Sequence, residues 1–201
     1  MMHPSTLSHS TLSLSCMHYY GASDYAVTAD GGDFTVHAVW GIDSAADIWL
    51  IDGWHGKTAS DVWIERQLDL VKRYKPLAWF SEKGVIQKAI EPMLKRRMRE
   101  RRAFCRLEWL PSIHDKPTRA RGFQARASMG KVHLPDSVLG HWFLEQLLKF
   151  PNGKHDDAVD VCSLIGMALD QAHPAIRSSG PKFRATLREY RGKGEESSGW
   201  R

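Results

Sequence analysis

Cysteine is scarce in this sequence: Cys16, Cys105 and Cys162 are dispersed, odd in number and without a CxxC spacing. That pattern excludes a disulfide framework or a cysteine-held zinc site and fits a reducing cytoplasm. Long apolar runs are absent too. None approaches the roughly 20 residues that cross a bilayer, and the opening MMHPSTLSHSTLSLSC has neither a basic start nor an apolar centre, so neither membrane insertion nor secretion is predicted. No internal repeat and no GxxxxGKS/T phosphate loop occurs. What is present is the makeup of one soluble domain: 201 residues, 42% hydrophobic and 25% charged. A net charge of +5 and a pI near 9.2 point to a polyanionic partner.

The Ser/Thr/His-rich residues 1–16 are expected to be a flexible tail, residues 17–173 the folded domain, and the Gly/Ser/basic residues 174–201 a second flexible tail. Within the domain, MHYYGASDYAV, FTVHAVWGID and ADIWLIDGW carry the β-branched and aromatic residues of three strands, an antiparallel meander. SDVWIERQLDLVKRY has a helical stripe, with Ser60 as N-cap and Pro76 beyond its end. LAWFSEKG, between Pro76 and Gly84, reads as a buried central strand reached by a crossover and parallel to one of the first three. VIQKAIEPMLKRRMRERR is helical, kinked or divided at Pro92. AFCRLEWLP and KVHLP are further strands, and KPTRARGFQARASM, SVLGHWFLEQLLKF and HDDAVDVCSLIGMALDQA are helices. An α/β fold follows: a mixed sheet flanked by helices.

Acids interrupt apolar elements at three places: Asp24 in the first strand, Glu82 at the end of LAWFSE, and the aspartates that open the last helix. One ionised carboxylate in a low dielectric is costly, and several that converge are best explained by a hard cation such as Mg²⁺. Helix capping by Asp156 and Asp157 is the plainer alternative for the last group. At about 100° per residue, Ala158, Val161, Leu164, Ile165 and Ala168 form one stripe with Asp157 at its edge, while Asp156 and Asp160 rotate toward the other side. Asp157 is therefore the acid expected to face the sheet. Asp156 either caps or takes a second metal position, Asp160 supports the ligands from behind or is merely solvated, and His155 is an auxiliary that orients a carboxylate or water.

In that order and spacing, SDYAVTADGGDFTVHAVWGID, WFSEKG and GKHDDAVDVCSL resemble the C-terminal nuclease domain of the large subunit of tailed-phage DNA-packaging terminases. The resemblance spans the whole folded region, including DKPTRARGFQARASMGKVHLP. It implies an RNase H-like fold and a metal-dependent endonuclease that cuts concatemeric phage DNA during packaging in the host cytoplasm. The family's first-strand acid falls on Asp24, its central-strand acid on Glu82 and its last-helix acid on Asp157, with Asp156 beside it. Asp33, in GGDFTV, matches a further acidic position, although a turn role beside Gly31 and Gly32 explains it equally well. Implied with these are two Mg²⁺ or Mn²⁺ ions, Asp24 bridging them, and hydrolysis of a phosphodiester by activated water.

Between Lys95 and Arg126 lies the strongest charge bias of the chain, KRRMRERR followed by KPTRARGFQAR. The first run is either a phosphate-binding face or a solvated helix face. Lys116, Arg119, Arg121 and Arg126 lie in the segment matching the family's basic region and are the expected contacts to double-stranded DNA. Trp54, Trp63, Trp79, Trp109 and Trp142 are expected to pack in or against the core. Terminase small subunit, portal protein and a separate ATPase motor are the other implied partners, since the missing phosphate loop means that these residues do not drive DNA by themselves. Two alternatives stay open: another RNase H-like enzyme such as a junction resolvase, and a catalytically silent DNA-binding or terminase-assembly module left by a prophage.

Overall fold

A computed structural model of the chain describes residues 17–26, 34–111, 115–153 and 155–169; the two expected tails, residues 170–173 of the expected domain, and Asp33 lie outside them. The strand pattern organises the fold. β2 (Thr35–Ile42) is buried along its whole length. Its Val36, Ala38, Trp40 and Ile42 face one core and Val39 faces a second. A strand covered on both faces belongs inside a sheet. β2 lies there, antiparallel to β1 (His18–Asp24) and to β3 (Ile48–Gly56), which is the expected meander.

α1 (Ser60–Tyr74) carries the chain across one face to β4 (Ala78–Lys83), which pairs parallel to β1 from Tyr20↔Ala78 through Ser23↔Ser81. α2 (Val85–Arg101) leads to β5 (Arg106–Pro111), parallel to β4. α3 (Lys116–Ser128) precedes the short β6 (Val132–His133), parallel to β3 at the opposite edge. The sheet order is β5-β4-β1-β2-β3-β6. α4 (Val138–Lys149) and α5 (Asp157–Ala168) complete three layers. Trp63, Ile64, Leu68 and Val71 of α1 and Ile90, Leu94 and Met98 of α2 pack on one face of the sheet; Phe123, Phe143, Val161, Leu164 and Ile165 of α3 to α5 pack on the other. No described helix is long and apolar enough to cross a membrane.

Three local expectations change. Ser60 is the first residue of α1, not its cap; Ala59 takes the cap position without a side-chain bond. Pro92 does not divide its helix, because it lies on the exposed side while Ile90, Leu94 and Met98 seat the opposite side on the sheet. The carbonyl deprived of its N–H partner belongs to exposed Lys88, where the loss is small. The KRRMRERR run is largely neutralised within the protein: Arg97 and Arg101 pair with Glu65, Arg101 with Asp69, and Lys95 with Glu91. Trp63 and Trp79 are buried and Trp54, Trp109 and Trp142 half-buried, consistent with packing.

Candidate active site

Parallel pairing of β1 and β4 decides where two of the acids emerge. Ser23 is opposite Ser81, so Asp24 and Glu82, one residue further along each strand, leave the same edge of the sheet side by side. α5 packs across this edge and begins there with Asp157. The Asp157 carboxylate accepts from the backbone N–H of Phe34 at 3.4 Å, tying the helix start to the entry of β2. Both Asp157 and Asp160 are buried, 6% and 8% exposed.

Of the two readings of Asp160, a support behind the ligands or a solvated acid, its burial goes against the second. α5 is covered on both sides, by the sheet and by α3 and α4, so Val159, Cys162 and Ser163 are buried together with the expected stripe. Asp156 differs also. It occupies the N-cap position of α5 but makes no side-chain cap bond; its carboxylate goes to Lys116.

Electrostatics links the acids. Desolvation, with the charges of Asp160, Asp157 and Glu82, pushes the Asp24 carboxyl well above the usual carboxylate range, and Lys116 only partly opposes this. Burial likewise raises the Asp160 carboxyl, against the pull of Lys116 and Arg119. The charges of the neighbouring acids thus act on Asp24.

α3 brings cations to these acids. Gly166 of α5 permits it: a Cβ there would stand 2.8 Å from the Phe123 nitrogen, so only glycine lets the two helices lie backbone against backbone. One and two turns upstream, Lys116 Nζ is 2.8 Å from Asp156 Oδ1 and 2.7 Å from Asp160 Oδ2. Arg119 donates to Glu82 Oε2 at 3.0 Å and to Asp160 Oδ1 at 3.4 Å. Burial works against the Lys116 ammonium, but its two carboxylate partners outweigh this and raise its pKa. Arg121 is exposed on the same helix, whereas Arg126 donates to the Ala46 carbonyl at 3.2 Å and braces the β2–β3 turn.

A ring cluster, unforeseen in the sequence, flanks Asp157. Phe34 meets His155 and Trp142 edge-on at 6.0 Å, His55 stacks on Trp142 at 4.0 Å, and Lys57 Nζ lies 4.6 Å from the Phe34 ring centre. His155 is half-buried in this cluster. Desolvation lowers the pKa of His55, against the nearby Asp157 charge.

Among the described residues, no group of three His, Cys, Asp or Glu side chains stands at metal-holding distance. The donors are nonetheless of one kind, carboxylate oxygens whose mutual repulsion reaches Asp24, and that set suits a hard divalent cation.

Acids at the ends of adjacent parallel strands, an acidic helix start packed across them and a three-stranded meander alongside make up an RNase H-like fold. Residues 21–169 match the family profile described as the Terminase RNaseH-like domain, and the chain belongs to that family. The large terminase nuclease of thermophilic phage G20c, solved with bound magnesium, is similar at a TM-score of 0.59 and 15% identity over 75% of this chain and 81% of that one. The same nuclease with bound zinc gives 0.55 and 16% over 74% and 79%. At such identities the likeness concerns the fold. No curated protein matches.

Proposed function

We propose that this chain is a divalent-metal-dependent endonuclease acting on double-stranded DNA, with Asp24, Glu82 and Asp157 as metal ligands. The observation that supports it is that Asp160, Asp157 and Glu82 lie near enough to Asp24 to raise its carboxyl at one sheet edge of a terminase-family domain. Asp156 would serve a second ion, and Asp160 would align Glu82 through Arg119. Mg²⁺ or Mn²⁺ bound there, as two ions, would supply an activated water for in-line attack and charge stabilisation for the departing 3′ oxygen. α3 covers one side of the site where it packs on α5, and its exposed Arg121, with Lys116 once released from the acids, would meet the phosphates. His155 and the ring cluster fix the position of the loop before α5. The 201 residues hold no phosphate loop, so ATP-driven movement of DNA, and any contact with a small subunit or portal, would involve components outside them.

Supercoiled plasmid incubated with the protein in Mg²⁺, Mn²⁺ or EDTA tests this reading. Nicking or linearisation is expected with metal, and its loss with EDTA and in Asp24→Asn and Asp157→Asn. DNA binding without cleavage under every metal condition would instead assign a silent binding or assembly module, and strong preference for a four-way junction over duplex would assign a resolvase.

A further inference from the structure

The two cations of α3 join the acids into one chain, Asp156–Lys116–Asp160–Arg119–Glu82, running from the start of α5 to the end of β4. They are held unequally. The Arg119 side chain is 9% exposed and its planar guanidinium spans two carboxylates, whereas the Lys116 side chain is 30% exposed and ends in a point charge on a flexible stem. Arg119 is enclosed; Lys116 has a path to solvent.

We propose that Lys116 is an exchangeable place-holder for a divalent cation: its ammonium neutralises Asp156 and Asp160 in the metal-free protein and withdraws when metal enters, while Arg119 stays and keeps Glu82 and Asp160 aligned. The inference rests on the metal-dependent reading above. An ammonium 2.8 Å from Asp156 Oδ1 and 2.7 Å from Asp160 Oδ2, and a divalent ion held by Asp156 beside the other ligands, repel each other strongly in a partly desolvated site, so one must leave. Lys116 has the path to solvent, and its departure leaves buried Asp160 still paired with Arg119. Withdrawal also returns a free ammonium to the mouth of the site, where the phosphate of a DNA strand would lie, coupling metal loading to substrate contact. Lys116 is in this sense a positioning residue that acts through the acids it holds.

Mn²⁺ titrated calorimetrically into the full chain, without DNA, tests the exchange. Lys116→Met keeps the length of the side chain and removes the competing charge, and is expected to bind Mn²⁺ at least about tenfold more tightly than wild type. Lys116→Arg, which retains the charge, is expected to bind no more tightly than wild type. Hydrogen exchange of the first turn of α3 in the unmutated protein gives a second readout that does not depend on a variant folding: it should quicken on Mn²⁺ addition. Wild-type binding with equal or weaker binding by Lys116→Met, or a first turn of α3 that is unchanged or slowed by Mn²⁺, overturns the exchange and leaves the metal site standing. No binding by either protein overturns both.

Discussion

Ser23 Oγ lies 2.7 Å from His37 Nδ1, and the Trp79 indole N–H donates to the same hydroxyl at 2.7 Å. Because the Trp63 carbonyl, 2.9 Å from Nε2, can only accept, neutral His37 carries its proton on Nε2, which leaves Nδ1 to accept from the serine hydroxyl. This directed chain ties β1, β2, β4 and α1 together one residue before Asp24. Burial pushes the His37 pKa down to about 3, against the Trp63 bond, which favours the charged form.

Stability should therefore fall on acidification. Below the ordinary histidine pKa of about 6.5 the unfolded chain binds a proton that native His37 refuses until pH about 3, so the unfolded state gains protons first. Between pH 6.5 and 4.5 the expected loss from this residue is about 2–3 kcal/mol. Urea denaturation across that range measures it, with His37→Gln as the comparison; equal pH slopes for the two proteins would refute the assignment.

Asp24 works in the opposite sense. Its carboxyl is raised by desolvation and then by Asp160, Asp157 and Glu82, so the native state takes up its proton at higher pH than the unfolded chain, and the ionised form costs the metal-free fold stability that grows with pH above the ordinary carboxylate range. Asp24→Asn is expected to raise the melting temperature in EDTA by at least about 2 °C, roughly what 1 kcal/mol produces at this size, while abolishing cleavage. A lowered melting temperature would mean that Asp24 is a structural anchor.

The meander, the parallel central strand and the acids at Asp24 and Glu82 were legible because each depends on a local pattern: apolar strand residues, Pro76 and Gly84 as boundaries, a carboxylate closing an apolar run. The environment of Asp160 was not. A helical wheel assumes one buried face, and α5 is covered on both. Nor does a count of basic residues reveal what they meet. Arg97 and Arg101 find acids on α1, more than 30 positions away, and Lys116 and Arg119 find the site's own carboxylates, pairings set by the packing of helices.

Arg119 should matter to the fold more than the other cations of α3. Arg119→Met leaves buried Asp160 and half-buried Glu82 without this partner, and removal of one member of a buried pair costs about 3 kcal/mol. Arg121→Ala, at an exposed position, should change stability by less than about 0.5 kcal/mol. Chemical denaturation of the two variants in EDTA separates these outcomes.

DNA binding should distinguish Arg121 from Arg126. An exposed arginine that meets a phosphate contributes to counterion release, so Arg121→Ala is expected to lower the slope of log K against log salt by about 1. Arg126 is engaged with the Ala46 carbonyl, and Arg126→Ala is expected to leave the slope unchanged. Duplex titrations in Ca²⁺ at several salt concentrations provide the measurement, and the reverse result would relocate the DNA path toward the β2–β3 turn.

Gly166 sets how closely α3 lies on α5, and through that the reach of Lys116 and Arg119. An added Cβ would stand 2.8 Å from the Phe123 nitrogen and 3.1 Å from its Cβ, neither of which is the movable end of a side chain. Gly166→Ala must push α3 outward, at a cost of about 1–3 kcal/mol, typical of overpacking. Displacing α3 loosens both cations from Asp160, so the variant should lose stability and DNA cleavage together although no acid is altered. Thermal melts and plasmid nicking test the pair of effects; lost stability with full cleavage would show that the acids hold their positions without α3.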